Sequence, residues 1–178
     1  CKKTMTNLRL ALPELSAAEH EKIMLGMWDN LGRVAAEYAH LDKIEGERVE
    51  IIGMENIAPY LHTSQAAIVI SGHLSNWEVM PVTAAKIGAP LQLIYRRPNN
   101  PYVARLLSHA RTPMGERLAN KGVEGARSVH EALRHNQPIG MLVDQKYSRG
   151  RPIQFFGQTA MCAPAVADLA LQYKAPII

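Results

Sequence analysis

The sequence predicts an α/β fold in which helices flank a mostly parallel central sheet. Short apolar stretches alternate with helical stretches roughly twice as long, a pattern typical of parallel strands that are covered on both faces. The 178 residues are 47% hydrophobic and 20% charged, so the chain can bury a sizeable core and belongs to neither a disordered nor a fibrous class. We expect a single domain, with a helical amino-terminal region over 1–45 and an α/β core over 46–178.

The helices and strands follow from local patterns along the chain. Ser16 and Glu19 have the spacing of a capping box, and the helix that they open has an apolar face formed by Ile23, Met27, Leu31, Val34 and Tyr38. Further elements are predicted in this order: a strand at 49–53, a helix at 55–62, a strand at 66–71, a helix at 77–87 that ends at Gly88, a strand at 91–95, helices at 101–109 and 122–135, a strand at 139–144 and a helix at 163–173. Residues 176–178 resemble the opening of another strand, so we expect the chain to be a fragment truncated at its carboxyl end.

Composition argues against several classes of protein. Two cysteines, Cys1 and Cys162, cannot form a disulfide framework, and no Cys or His spacing matches a zinc site. The longest apolar stretches are too short or too interrupted to span a bilayer. The net charge of +4 is that of an ordinary solvated surface, and it also suits an anionic membrane, a phosphorylated substrate or an acidic carrier protein.

The segment 68–78 carries the candidate catalytic residues. His73 lies in the turn after a strand, at the edge of the sheet where open α/β folds bind ligands. Glu78, in the first turn of the next helix, can fold back towards the imidazole, fix its tautomer and leave the other nitrogen to accept a proton. No G-x-S-x-G motif is present, so the reacting hydroxyl would belong to the substrate. The alternative to a catalytic pair is that the spacing of His73 and Glu78 arises by chance and Glu78 only complements the helix dipole. A metal site is not indicated, because H-x4-E is not the spacing of metal-binding histidines.

Residues 72–78, Gly-His-Leu-Ser-Asn-Trp-Glu, resemble the H-x4-D/E motif of glycerolipid acyltransferases, and their G-H-x-x-N-W-E form resembles the bacterial lipid A late acyltransferase family. Other blocks of that family are matched in order, so that the resemblance covers essentially the whole chain; they are 7–14, 28–32 with Glu37, 95–101, Arg111 with Gly115, Asp144-Gln145, 155–157 and 163–170. The chain departs from the family at Leu74-Ser75, where Phe-Gly is more usual, and at Pro164, where Thr is expected. The membrane-spanning anchor that is usual in the family is not among these residues.

The resemblance implies transfer of a fatty acyl chain from acyl carrier protein or acyl-CoA to a hydroxyl of a lipid A precursor, at the cytoplasmic face of the bacterial inner membrane. His73 would take the proton of the acceptor hydroxyl, while Glu78 would hold the imidazole and stabilise its charge. Arg111 would donate hydrogen bonds to the oxyanion, with the Asn76 amide or a backbone N–H at the helix start as the alternative. No metal or organic cofactor is expected. The implied partners are the acyl donor, the lipid A precursor and the membrane surface, with no nucleic acid.

Further residues have two interpretations each. Arg96 and Arg97 either bind phosphates of the lipid or of the carrier's phosphopantetheine, or form a solvated basic turn. Asp144 and Gln145, at the end of a strand, are expected to support the loop beside the site rather than to catalyse. The aromatic pair at 155–156 either walls an acyl chain or anchors a loop.

Two other functions stay open from the sequence. Acyltransferases with the same motif also act on other glycolipid acceptors, such as a phosphatidylinositol mannoside. A catalytically silent homologue that only binds lipid or carrier protein would retain the fold. An acyl-transfer assay separates this silent homologue from an enzyme.

Overall fold

The computed structural model describes residues 2–61, 65–114 and 117–178, so His62, the predicted end of a helix, and Gly115 of the family block lie outside the described residues. The chain forms two compact units. The larger unit comprises Glu37–Asp144 and Ala165–Ile178, and the smaller one comprises the chain up to Ala36 together with Gln145–Pro164. No helix of the described residues is both long and apolar enough to cross a membrane.

The helices follow the local signals of the sequence closely. Ser16 and Glu19 form the predicted capping box, in which the Ser16 N–H donates to Glu19 Oε2 at 2.8 Å and the Glu19 N–H donates to Ser16 Oγ at 3.3 Å. Asn100 caps a later helix by accepting from two backbone N–H groups of its first turn. In chain order the described α-helices are α1 (Lys2–Ala11), α2 (Ala17–Glu37), α3 (Leu41–Arg48), α4 (Met54–Leu61), α5 (Val79–Lys86), α6 (Pro101–Ala110), α7 (Val123–Arg134) and α8 (Ala165–Tyr173), with 3-10 helices at Tyr38–His40 and Thr112–Met114.

A four-stranded parallel sheet forms the core of the larger unit and confirms the predicted fold class. Ile68 lies opposite Ile139, Leu93 lies opposite Gly140, and every pairing between neighbouring strands is parallel. Ile177 forms a further parallel bridge to Ile68, so the segment after α8, where the sequence predicted the opening of a strand, runs beside the first strand. The strands are β1 (Ile68–Ser71), β2 (Gln92–Tyr95), β3 (Leu118–Asn120) and β4 (Ile139–Leu142), and their order across the sheet is β1-β4-β2-β3.

Helices cover both faces of this sheet. Ile68 and Ile139 are fully buried and belong to one apolar cluster with residues of α7 and α8. The next residue of β1, Val69, points to the opposite face because successive side chains alternate along a strand. There it lines an apolar cavity together with residues of α4 and α5. The sheet, which is tightly packed on one face and lines a cavity on the other, supports the turns that follow the carboxyl ends of its strands.

The smaller unit contains a helical part and an antiparallel hairpin. The hairpin consists of β5 (Lys146–Phe155) and β6 (Gln158–Cys162). Gly150 lies where the register between the two strands shifts, and a Cβ at this position would overlap the backbone carbonyl of Cys162. A glycine is needed there because the two backbones approach too closely for any side chain.

The predicted apolar face of α2 is buried at only part of its length. Val34 is 1% exposed, whereas Ile23, Met27 and Leu31 are 40–42% exposed. Tyr38, the last residue of the predicted face, lies in the 3-10 helix that follows α2 and is partly buried. The periodicity therefore predicted the helix correctly, but not how deeply each turn of it is buried.

One predicted strand was wrong, and two further features of the fold, β3 and the β5–β6 hairpin, were not predicted. Residues 49–53 were expected to form a strand, but they are irregular and their first four residues line the apolar cavity instead. β3 was missed because its three residues carry too little pattern to distinguish a strand from a loop. The β5–β6 hairpin was missed because its two-residue turn, Phe156-Gly157, lacks the Asn-Gly or Asp-Gly signal of such turns.

Candidate active site

The register of the sheet brings His73 beside Asp144. β1 and β4 are parallel neighbours in which Ser71 lies opposite Leu142. His73 and Asp144 each follow two residues after those positions, so the two chains leave the sheet side by side. Gly72 leaves room for this approach, because a Cβ there would lie 3.3 Å from Asp144 Oδ2. Local sequence places His73 at this edge, and strand order supplies its neighbour.

Asp144 binds both the ring and the backbone of His73. His73 Nδ1 lies 2.8 Å from Asp144 Oδ1, and the His73 N–H donates to Asp144 Oδ2 at 2.7 Å. Partial burial of Asp144 opposes its ionisation, but the hydrogen bonds from His73 outweigh burial and lower the pKa of the carboxyl group. The pair is open to a substrate, since the two side chains are 32% and 42% exposed.

Glu78 occupies a different position from the one that the sequence suggested. It was expected to fold back onto the imidazole, but the carboxylate seen at His73 Nδ1 is that of Asp144. Glu78 directly precedes α5, and its side chain is only 7% exposed. Arg111 binds it with two nitrogens, Nε to Oε2 at 2.9 Å and Nη2 to Oε1 at 2.6 Å. This bidentate pair is the geometry in which arginine binds carboxylates most strongly.

Tyr38 is part of this buried cluster and was not among the predicted site residues. Its hydroxyl donates to Glu78 Oε1 at 2.6 Å, although the two residues are 40 positions apart in the sequence. Burial raises the pKa of Tyr38, and the hydrogen bond to Glu78 raises it further. In the sequence, Tyr38 was identified only as the last residue on the apolar face of the first long helix. Its polar end could not be assigned a partner from that pattern.

Arg111 is enclosed by aromatic rings as well as by Glu78. Its guanidinium carbon lies 5.8 Å from the ring centre of Tyr38 and 5.4 Å from that of Tyr95. Burial lowers the pKa of Arg111, but the hydrogen bonds and charge of Glu78 outweigh burial, so the net direction is upward. The arginine is therefore charged at any physiological pH.

Trp77 and Asn76 lie between the exposed His73–Asp144 pair and the buried cluster of Glu78, Arg111 and Tyr38. The Trp77 ring contacts the His73 ring edge-on at 4.9 Å, and Trp77 Nε1 donates to Glu78 Oε1 at 3.2 Å. Asn76 Nδ2 donates to Glu37 Oε2 at 2.7 Å, and its Oδ1 accepts from the Glu78 N–H at 3.1 Å. The Asn76 amide thus holds the turn between His73 and Glu78.

The remaining predicted site residues, Arg96, Arg97 and Gln145, are exposed. Arg96 and Arg97 directly follow β2 and are exposed, and no ion pair joins either of them to another described residue. Gln145 is exposed and belongs to the smaller unit. Within the described ranges, no three His, Cys, Asp or Glu side chains are grouped as metal ligands would be.

An apolar cavity of about 320 Å³ lies in the larger unit, on the face of β1 that packs against α5. Val79, the residue after Glu78, lines it, as do Val69 and Leu91 from the sheet region. Predominantly apolar cavities of this size suit the hydrocarbon part of a ligand.

One comparison with known proteins identifies a relationship. The protein family described as bacterial lipid A biosynthesis acyltransferase matches residues 1–178, the whole chain. No protein with a curated description matches. The family match agrees with the resemblance that the motif around His73 indicated.

Proposed function

Because the chain belongs to the bacterial lipid A biosynthesis acyltransferase family, we propose that it transfers a fatty acyl chain from acyl carrier protein or acyl-CoA to a hydroxyl of a lipid A precursor. The observation that carries the proposal is the His73–Asp144 pair, which is partly exposed at the carboxyl edge of the sheet. The reaction would take place at the cytoplasmic face of the inner membrane, with no metal or organic cofactor required by its chemistry.

His73 is the general base of the proposed reaction. With Nδ1 bonded to Asp144, Nε2 is the nitrogen that takes the proton of the acceptor hydroxyl as its oxygen attacks the thioester carbonyl. The tetrahedral intermediate then collapses, the carbon–sulfur bond breaks, and the proton passes from the imidazolium to the departing thiolate. Asp144 orients the ring and stabilises the imidazolium in the way that the aspartate of a catalytic triad does.

The oxyanion of the intermediate needs hydrogen-bond donors. Arg111 remains our first candidate, and since Nε and Nη2 bind Glu78, the N–H groups of Nη1 are the ones that would donate. The Asn76 side chain is a weaker candidate because its Nδ2 already binds Glu37. A backbone N–H of the turn that ends at Glu78 is the alternative.

Glu78 acts in this proposal through its neighbours. It neutralises and holds Arg111, and its hydrogen bond from Trp77 keeps that ring against His73. The sequence suggested a His73–Glu78 dyad; here the acid of the H-x4-E motif supports the site as a buried anchor, and Asp144 is the acid that acts on the imidazole. Glu78 would thus be a positioning residue.

Two further features support a lipid substrate. The apolar cavity beside α5 would hold the donor's acyl chain, because its lining offers hydrocarbon a surface away from water. Arg97 follows β2 by two residues, as Asp144 follows β4, so both leave the same edge of the sheet. Arg96 and Arg97 would there bind phosphates of the acceptor or of the carrier's phosphopantetheine.

The test is transfer of a labelled acyl chain to a lipid A precursor, with acyl carrier protein and CoA donors assayed in parallel. His73→Ala should lower the rate by about 10²- to 10⁴-fold, because that is what a general base contributes. His109→Ala, which removes an exposed histidine of α6, is the matched control and should keep the wild-type rate. A folded His73→Ala protein with wild-type turnover would show that the proposal is wrong, and a wild-type protein with no activity on either donor would favour the silent homologue.

A further inference from the structure

The β5–β6 hairpin exposes aromatic side chains at its tip. Phe155 and Phe156 are 60% and 56% exposed, and their rings contact each other edge-on at 4.8 Å. Ile153, two residues before Phe155, is 43% exposed. Large apolar groups that are exposed together are costly in water and mark an interaction surface.

The turn at the tip keeps Phe156 in an unfavourable backbone conformation. Phe156 has a φ of 51° and Gly157 a φ of 67°, and Phe155 pairs with Gln158 across them. Such two-residue turns favour Asn or Gly at the first position, because side chains larger than these rarely adopt positive φ. A phenylalanine at this position costs conformational energy, and such strained residues are concentrated at functional sites. We therefore attribute a binding role to Phe156 and not a stabilising one.

The two faces of the hairpin differ in polarity. Arg151, Ile153 and Phe155 share one face because they alternate along β5. On the other face Gln154 Nε2 donates to Thr159 Oγ1 at 3.2 Å. One face is therefore apolar towards the tip and basic towards the base of the hairpin.

Charge determines what kind of partner this surface fits. Residues 145–164 contain three basic residues, Lys146, Arg149 and Arg151, and no Asp or Glu. All three are exposed. Arg151 and Phe155 are four positions apart in the sequence, which is roughly 13 Å along a strand. This separation lets the aromatic rings enter the apolar edge of a bilayer while the guanidinium groups stay at the level of the lipid phosphates.

We propose that the β5–β6 hairpin docks the protein on an anionic lipid surface by inserting Phe155 and Phe156, with Arg149 and Arg151 bound to lipid phosphates. An acidic protein would also attract the basic residues, but it would not require two exposed aromatic rings at the end of a turn. The docking does not depend on the acyl-transfer reaction and can be measured without any acyl donor.

The experiment is cosedimentation of the full chain with vesicles of phosphatidylglycerol and phosphatidylcholine in equal amounts, and with vesicles of phosphatidylcholine alone. The wild-type protein should bind the mixed vesicles more tightly, and the difference should shrink with added salt. Combined Phe155→Thr and Phe156→Asn substitutions should lower the partition constant at least about tenfold. The hairpin itself should persist, because threonine favours strands and Asn-Gly favours this turn.

A second variant tests the charges separately. Arg149→Gln with Arg151→Gln should weaken binding to the mixed vesicles by about fivefold for each charge and leave binding to neutral vesicles unchanged. Tyr102→Ser is the matched control, since Tyr102 is an aromatic residue of α6 that is 82% exposed, and it should not change vesicle binding. His73→Ala should bind vesicles normally, which separates this proposal from the proposed reaction.

Two results would overturn the docking proposal. One is unchanged vesicle binding by both hairpin variants. The other is a loss of affinity for acyl carrier protein with vesicle binding intact, which would assign the hairpin to a protein partner.

Discussion

Two carboxylates at the carboxyl edge of the sheet differ in their surroundings and in what they can do. Asp144 and His73 have side chains that are 42% and 32% exposed, whereas Glu78 and Arg111 are 7% and 14% exposed. An exposed pair can meet a substrate and exchange a proton, but it adds little to stability. A buried ion pair is fixed in place, and removing one partner leaves the other charge buried without compensation. The comparison therefore distinguishes an exposed pair, for which we propose a role in the reaction, from a buried pair that holds the site in place.

The largest effect is expected from breaking the buried pair. Glu78→Ala should lower the free energy of unfolding by about 3–5 kcal/mol, because Arg111 would keep its buried charge without a counterion. Urea unfolding of the full chain measures this loss. Asp144→Ala is the matched variant and should cost less than about 1 kcal/mol, since its pair is exposed. Equal losses for the two variants would contradict the distinction between them.

The exposed pair should matter most for the reaction rate. Asp144→Asn should lower kcat for acyl transfer by about 100-fold and leave KM nearly unchanged, because the imidazolium loses its charge partner and its tautomer is no longer fixed. Thermal unfolding should show a protein that remains folded. Asp168→Asn, which changes an exposed aspartate in the first turn of α8, should keep the wild-type rate. A large drop in Tm with unchanged kcat would instead make Asp144 a structural residue.

The smallest effect concerns the pH dependence of stability. The pKa of Asp144 is lower in the folded protein than its ordinary value near 4, so its contribution to stability is present above that ordinary value and is lost as the pH falls through the folded pKa. The wild-type protein should therefore have a slightly higher Tm than Asp144→Asn at neutral pH, and the difference should shrink as the pH falls below about 4 and disappear below the folded pKa. A difference that grows in acid would show that the carboxyl group is not stabilised in its charged form.

The sequence by itself determined the features that depend on neighbouring residues. The capping box at Ser16 and the helix after it were predicted correctly, because these signals span only a few positions. The same holds for the strand–turn–helix segment around His73, whose residue pattern identified the family. The alternation of apolar strands with helices also predicted a parallel sheet, since parallel strands covered by helices on both faces are short and almost continuously apolar.

The tertiary structure alone decided which distant residues meet. Strand order placed β4 beside β1, and this placed Asp144, 71 residues along the chain, on His73. Tyr38, in the 3-10 helix after α2, likewise meets Glu78 although it lies 40 residues upstream. Local patterns could not predict these contacts. The spacing of apolar residues indicates which face of a strand or helix is buried, but it does not indicate which other element packs against that face. The local sequence therefore singled out His73 as the candidate base, whereas the packing of distant elements decided that Asp144 is the carboxylate at its ring.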